Sequence, residues 1–315
     1  MTVAASFWPR RFPRLPAAED LLIESEPGTR ILARCHWQPE RHRRPALVLV
    51  HGLEGSSESG YMLGTAERAW LAGFSVVRMN QRNCGGTDHL TPTLYNSSLS
   101  VDVRAVVFRL IEGKQVPEVF AVGFSLGGNL VMKMAGEMGE RTPAELRAVA
   151  TVSPSLDLAA CADALEQPRN WIYERYFLRR LKRRILHKAR LFPDRYRLTQ
   201  LDSIHTIRQF DDRITAPHSG FRDAEDYYFR ASALRVIERI RRPALILAAA
   251  DDPMVPFASL DRPEIREHPQ IRLLGPRRGG HCGFISRKEA GERFWAELVI
   301  VDFCRSQSHL TDFSR

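Results

Sequence analysis

Apolar residues recur along this chain in two different periods. Some runs are apolar at nearly every position and only strand-length. The run 46–50 (ALVLV) ends at His51-Gly52, and 244–250 (ALILAAA) ends at Asp251-Asp252-Pro253. A run with no polar face belongs in the middle of a sheet covered on both sides. Similar runs at 74–79, 117–124, 147–153 and 271–274 predict further strands. Between them, spacings of three and four predict helices over 65–72, 98–113, 127–138, 231–241, 261–268 and 286–305. A hairpin is expected over 20–38, because EPGT supplies turn chemistry between two strand-like runs. The polar stretch 39–45 then reads as a linker.

Strands alternating with helices after a hairpin predict an α/β fold, a mostly parallel sheet with helices on both faces. The alternation stops between about 157 and 230, where the chain keeps amphipathic helical character without comparable strands. The expected organisation is an N-terminal arm over 1–19, a core from 20–157 and 231–315, and a helical lid or cap insertion at 158–230.

Composition narrows this picture little. In 315 residues, 44% are hydrophobic and 26% charged, an ordinary globular balance. No apolar run approaches the ~18 residues of a membrane span, and Pro and Arg crowd the N-terminus where a secretion signal would carry its apolar core. Five cysteines without a CxxC pair argue against a disulfide framework or zinc ribbon, so a cytoplasmic location with reduced thiols is expected. Charge is more informative. The net charge is +9, and residues 168–197 carry eleven Lys or Arg against two Asp or Glu, so the remainder is neutral.

Chemistry concentrates at the ends of the predicted strands. Gly123-Phe124-Ser125-Leu126-Gly127 follows a strand and opens a helix, the setting of a nucleophile elbow. A serine there stands above the sheet edge beside unpaired backbone N–H groups at a helix start. A second oxyanion donor must come from the loop after the third strand, which makes Leu53 and Leu126 the candidate pair. His51 in that loop is expected to hold structure rather than carry protons. Asp252, in the D-x-x-V-P turn after 244–250, is the candidate acid in preference to Asp251, which is expected to cap or hydrogen-bond that turn. His281, between glycines in GGHCGF, is the candidate base. The order Ser125, Asp252, His281 is that of the α/β-hydrolases. No HExxH, GxxxxGK[ST] or GxGxxG is present, so neither a metal nor a nucleotide cofactor is expected.

HGLEGSSES (51–59), RMNQRNCGG (78–86), GFSLGGN (123–129), ADDPMVP (250–256) and GGHCGF (279–284) together resemble the YheT-like branch of the α/β-hydrolase superfamily, as does the segment 208–232. Relatives in that branch include medium-chain ethyl ester synthase/esterases and α/β-hydrolase-domain phospholipases. Asn83 stands where such relatives usually have Gly. The resemblance implies a cofactor-free serine carboxylesterase or monoacylglycerol lipase acting on short- to medium-chain acyl esters. An acyltransferase on the same triad, and a non-catalytic lipid-surface binder, are the alternative readings.

The basic insert has its own pattern. Phe177, Leu178, Leu181, Ile185 and Phe192 form an apolar stripe, and Arg179, Arg180, Lys182, Arg183, Arg184, Lys188 and Arg190 cover the rest. The simplest reading is a lid helix with a solvated basic face. The sharper one is peripheral contact with anionic lipid through 168–197. Nucleic-acid binding is disfavoured, because the stretch carries no recognised motif.

Overall fold

The computed structural model describes residues 9–196, 198, 201–289 and 292–310. Its central feature is an eight-stranded sheet in the order β1-β2-β4-β3-β5-β6-β7-β8. The strands are β1 (Glu19–Glu26), β2 (Thr29–His36), β3 (Ala46–Val50), β4 (Ser75–Met79), β5 (Val119–Phe124), β6 (Leu146–Val152), β7 (Ala244–Leu247) and β8 (Ile271–Leu274). β1 and β2 form the predicted hairpin, and β2 joins β4 antiparallel; from β4 to β8 every pairing is parallel.

The unbroken apolar runs occupy the centre, as their pattern requires. In β3, Leu47 and Leu49 face one side with Phe120 and Val122 of β5, against Met62 and Ala66 of α1 (Gly60–Leu71) and Ile300 and Val301 of the closing helix. Val48 and Val50 face the other side, with Val103 and Val107 of α2 (Ser100–Phe108) and Leu130 and Met134 of α3 (Leu126–Met138). The central strands β3, β4 and β5 are therefore dry on both faces.

Strand order decides where a site can form. From β3 the chain crosses to β4 on one side, and later returns to place β5 on the other. In such sheets ligands bind beyond the carboxyl ends of the strands at this reversal. The pairing of Val50 with Gly123 sets the loop after β3 beside the loop after β5.

The regular structure described between β6 and β7 is all helical. It holds α4 (Leu158–Leu165), the long α5 (Trp171–Leu191), short turns from Ile207 to His218, and α6 (Ala224–Ala231). Leu178, Leu181 and Ile185 are buried against the core, and Phe177 and Phe192 pack on it, as the apolar stripe predicts.

Several elements differ from the sequence expectation. The helix expected at 65–72 starts at Gly60, because Tyr61 and Met62 in its first turn pack into the core. The run 98–113 is helical, but changes to π-helical turns at Arg109–Gly113. The helix expected at 231–241 is a 3-10 segment, Ala233–Arg239, and that at 261–268 shrinks to Pro263–Arg266. The closing helix begins only at Trp295 (α7, Trp295–Ser306), preceded by a small hairpin, β9 (Ile285–Glu289) and β10 (Glu292–Phe294). Phe284 and Trp295 bracket that hairpin, their backbones hydrogen-bonded at 3.1 Å, and this tertiary closure outweighs helical spacing.

The junction of β5 and α3 leaves no room for side chains. A Cβ on Gly123 would lie 2.2 Å from the Gly127 carbonyl oxygen, and one on Gly127 2.4 Å from the carbonyl oxygens of Val50 and His51. Both obstacles are backbone, so neither can swing aside. Gly123→Ala is therefore expected to destabilise the fold by about 3 kcal/mol, the upper range for overpacking. Chemical denaturation of the purified variant checks this, and a loss below about 0.5 kcal/mol would show that the junction relaxes.

Candidate active site

Ser125 sits between β5 and α3 at φ 53°, ψ −119°, a backbone conformation that a non-glycine residue adopts only under constraint. Hydrogen bonds hold it there. Its N–H donates to the Val152 carbonyl at 2.9 Å, and its carbonyl accepts from Gly128, Asn129 and Ser155. The side chain is thereby lifted off the sheet edge.

His281 meets it from the other side. Ser125 Oγ lies 2.8 Å from His281 Nε2, and His281 Nδ1 lies 2.9 Å from Asp252 Oδ2. The expected serine, histidine and acid are thus brought into one hydrogen-bonded line. Asp252 is fully buried on its side chain, and its Oδ1 also accepts from the Met254 and Val255 amides at 2.9 and 3.0 Å. Asp252 therefore caps its own turn, a task expected of Asp251. Asp251 instead accepts from the Gly279 and Gly280 amides at 2.7 and 2.8 Å, and so positions the histidine loop. One acid orients the ring and its neighbour anchors the segment that carries it.

The electrostatics follow from this geometry. Burial pushes His281 toward the neutral form, but the Asp252 charge and hydrogen bond outweigh it and hold the imidazole well above its ordinary value of 6.5. Burial works against ionisation of Asp252 as well; His281 and the two turn amides reverse that and lower its carboxyl. An imidazole so placed can take the serine proton and hold it next to a fixed negative charge.

The loop after β3 shows how one amide is kept available. The Gly52 N–H donates to Tyr61 Oη at 3.0 Å, and the Glu54 N–H to Tyr95 Oη at 3.3 Å. Between them, the Leu53 N–H has no acceptor among the described residues, and neither has that of Leu126 at the start of α3. His51 lies under this loop. Its Nδ1–H donates to the Gly52 carbonyl at 2.8 Å and its Nε2 accepts from the Gln81 amide at 3.1 Å. Burial lowers it to about 4, so it is neutral and structural, in keeping with its sequence reading.

Ser125, His281, Leu53 and Leu126 border a cavity of about 110 Å³. Its far walls are apolar, with Leu158, Cys161 and Leu165 of α4 and Phe177 and Leu181 of α5. One end is polar. Asp211 accepts from Tyr228 Oη at 2.8 Å and Thr215 Oγ1 at 2.7 Å, and burial raises its carboxyl to about 6. Among the described residues no three His, Cys, Asp or Glu side chains converge as metal ligands would.

A further group escaped the sequence reading. Glu54, at φ 55° beside Leu53, is held by Arg184 of α5 through two contacts, Nε to Oε1 at 2.7 Å and Nη2 to Oε2 at 3.0 Å. Tyr95 donates to Oε1 at 2.7 Å, and Arg180 reaches the Glu54 carbonyl at 3.0 Å. Arg184 also donates to the carbonyl of Asn83, whose φ of 64° accounts for the glycine usual there. Lys188, one turn on, is fully buried and donates to the Asp88 carbonyl at 2.6 Å. The expectation of a uniformly solvated basic face therefore needs correction: Arg184 and Lys188 turn inward and Arg180 lies at the edge. Helical periodicity does place 177, 181, 184 and 188 on one side, but a sequence does not say that the acid awaiting them is 130 residues upstream.

Comparison with known proteins places this architecture. Residues 45–288 match the family model described as alpha/beta hydrolase fold. Over 266 residues the chain is 35% identical to YheT of Escherichia coli strain K12, which carries a provisional esterase name, covering 84% of this chain and 77% of that protein. It is 32% identical to Phospholipase ABHD3 of Mus musculus over 77% of this chain, but spans only 59% of that longer protein. A monoacylglycerol lipase of Saccharomyces cerevisiae is 31% identical, with 81% of this chain and 58% of that one covered. Among solved structures, an esterase of Pyrococcus furiosus, Pf2001, superposes with a TM-score of 0.60 at 13% identity, covering 95% of this chain and 96% of that one, a likeness of fold alone. The chain belongs to the α/β-hydrolase superfamily, in the YheT-like branch that its motifs resemble. It is a hydrolase of the esterase and lipase type.

The Glu54–Arg184 pair generates a prediction. Burial alone would raise Glu54, but the hydrogen bond and charge of Arg184 hold it below the ordinary 4.5. Removing one partner leaves a buried charge, so Arg184→Met is expected to cost about 3–5 kcal/mol at neutral pH. Because the folded carboxyl is the more acidic, this contribution is present above pH 4.5 and drains away as the pH falls below it. Denaturation of Arg184→Met, Glu54→Gln and the double variant at pH 7 checks the coupling; additive losses would show that the two side chains act separately.

Proposed function

We propose that this chain is a serine carboxylic ester hydrolase that works through an acyl-enzyme on short- to medium-chain acyl esters. The observation that carries the reading is the unbroken line Ser125–His281–Asp252 at the mouth of an apolar cavity, beside two unpaired amides. Ser125 Oγ attacks the ester carbonyl carbon while His281 Nε2 takes its proton. The carbonyl oxygen, now an anion, is held by the N–H groups of Leu53 and Leu126. The C–O bond breaks, and His281 returns the proton to the departing alcohol. Water repeats the sequence on the acyl-serine and releases the acid. Asp252 keeps the imidazole in the tautomer that accepts at Nε2, and stabilises the imidazolium.

The cavity bears on the substrate. A cavity of about 110 Å³ with apolar far walls offers room for an acyl chain. Asp211 makes the polar end anionic above about pH 6, which favours uncharged esters over acidic ones. A relative named medium-chain fatty acid ethyl ester synthase/esterase 2, from Saccharomyces cerevisiae and 26% identical, supports a second reading in which an alcohol replaces water in the second half-reaction. Product analysis with and without added ethanol separates the two.

Ser125→Ala is expected to abolish both fluorophosphonate labelling and turnover of p-nitrophenyl butanoate; more than about 1% residual kcat in a clean preparation would overturn the assignment. Asp252→Asn is expected to lower kcat by up to ~10⁴, as loss of the triad carboxylate does in serine proteases, and Asp251→Asn by far less. The pH profile supplies an independent check. His281 must be neutral to act, so kcat/KM rises with pH through the raised histidine value, above 6.5. Asp252→Asn removes the charge that raises it, and is expected to move that limb to lower pH. An unmoved limb would mean that another group titrates.

A further inference from the structure

Among the described residues, nothing covers the outward face of α5. Trp171, Ile172 and Tyr176 are more than half exposed, at 58%, 59% and 52%, and Leu186 is 46% exposed. Arg175, Arg179, Arg183 and Arg190 are interleaved with them and also exposed. Residues 172, 175, 179, 183, 186 and 190 fall on one side of a 3.6-residue helix. The one acidic residue of α5, Glu174, is turned away and accepts from the Ile207 amide at 3.3 Å. Among the described residues these four arginines meet no carboxylate within ion-pair distance, whereas Arg180 and Arg184 both pair with Glu54. The inward turn of Arg184 and Lys188 thus sorts the charge. What remains outside is cationic, aliphatic and aromatic, with no carboxylate paired to it among the described residues.

We propose that this face docks on an anionic lipid surface. The arginines meet lipid phosphates and carboxylates, while Ile172, Leu186 and the rings of Trp171 and Tyr176 enter the headgroup boundary, as in interfacial amphipathic helices. Arginine stems lie along apolar surface with their heads in the polar layer, so the mixture of residue types is self-consistent. The aliphatic members decide between lipid and nucleic acid. A phosphodiester backbone would satisfy the arginines but leave Ile172 and Leu186 in water. Position agrees: the opposite face of α5 supplies Phe177 and Leu181 to the cavity, so one helix separates the docking face from the apolar space behind it. The inference concerns a surface and does not depend on the role of Ser125.

Co-sedimentation of the full chain with vesicles tests it, using phosphatidylcholine alone and phosphatidylcholine mixed with phosphatidylserine, at low and high salt. The expected result is binding to the anionic vesicles at low salt, little to the neutral ones, and release by salt, since the surface field decays over a Debye length of ~8–10 Å. Each engaged arginine contributes about fivefold to partitioning. Joint replacement Arg175→Glu, Arg179→Glu, Arg183→Glu and Arg190→Glu is therefore expected to lower binding at least a hundredfold, with the far-ultraviolet circular dichroism unchanged. If that variant misfolds, Trp171→Ser with Ile172→Ser and Leu186→Ser takes its place, and is expected to weaken binding while keeping its salt dependence. Ser125→Ala is expected to bind as the unaltered chain does, which separates failure here from failure of the hydrolytic reading. Three results overturn the proposal: no binding to anionic vesicles at low salt, unchanged binding by the folded charge-reversed or apolar-deleted variant, or displacement from vesicles by single-stranded RNA, which would assign the face to nucleic acid.

Discussion

The site depends on one backbone constraint, the sharp reversal at Ser125. A serine at φ 53° and ψ −119° is held out of its preferred conformation by four backbone hydrogen bonds, and by close contact between the β5 end, the α3 start and the β3 end. Strain of this kind costs on the order of 1–3 kcal/mol and persists only where the surroundings over-determine it. Here the surroundings are the buried parallel sheet. Its central strands are apolar on both faces, which leaves no slack for the turn to relax into. The same constraint exposes the Leu126 amide, because an abrupt helix start leaves its first N–H groups unpaired.

The second organising interaction lies across the cavity. Glu54 ties the loop that bears the Leu53 amide to α5 through Arg184, and to the segment before α2 through Tyr95. A buried carboxylate bonded from both sides fixes the direction of its loop, and the neighbouring amide inherits that direction. On the hydrolytic reading, the insertion is then more than a cover over the acyl space, since it also fixes the geometry of an oxyanion donor. Movement of α5 would disturb both at once. Tyr61 and Tyr95, by accepting from Gly52 and Glu54, leave one amide of three available. Selective occupation of donors of this kind pre-organises a site at no cost during the reaction.

The paired acids show a division of labour that their adjacency conceals. Asp252 is spent on His281 and on its own turn; Asp251 is spent on the glycines before His281. Both act on one histidine, one by charge and direction, the other by holding the loop. Burial without such partners would have favoured the protonated form of the Asp252 carboxyl, useless for this purpose.

Much of this was legible along the chain. Unbroken apolar runs mark central strands because only a sheet covered on both faces tolerates them, and glycines around Ser125 and His281 mark turns where side chains do not fit. Those local signals placed Ser125, Asp252, His281, Leu53 and Leu126 at strand ends, and the structure brings Ser125, His281, Leu53 and Leu126 to one cavity edge with Asp252 buried behind His281. The departures have a common cause. The helix expected from 286 yields to a hairpin closed between Phe284 and Trp295, and a 3-10 segment replaces the helix expected at 231–241. Charge was harder still. A count gives +9 over 168–197, but not that Arg184 and Lys188 point inward while Arg175, Arg179, Arg183 and Arg190 point out. By itself the sequence determined the alternation of strands and helices and the residues standing at their ends, because burial and turn chemistry act over a few neighbouring positions. Only the tertiary structure decided which distant groups meet, Glu54 with Arg184 and Asp251 with Gly279, because such a pairing is chosen by the packing of whole elements and leaves no period in the chain.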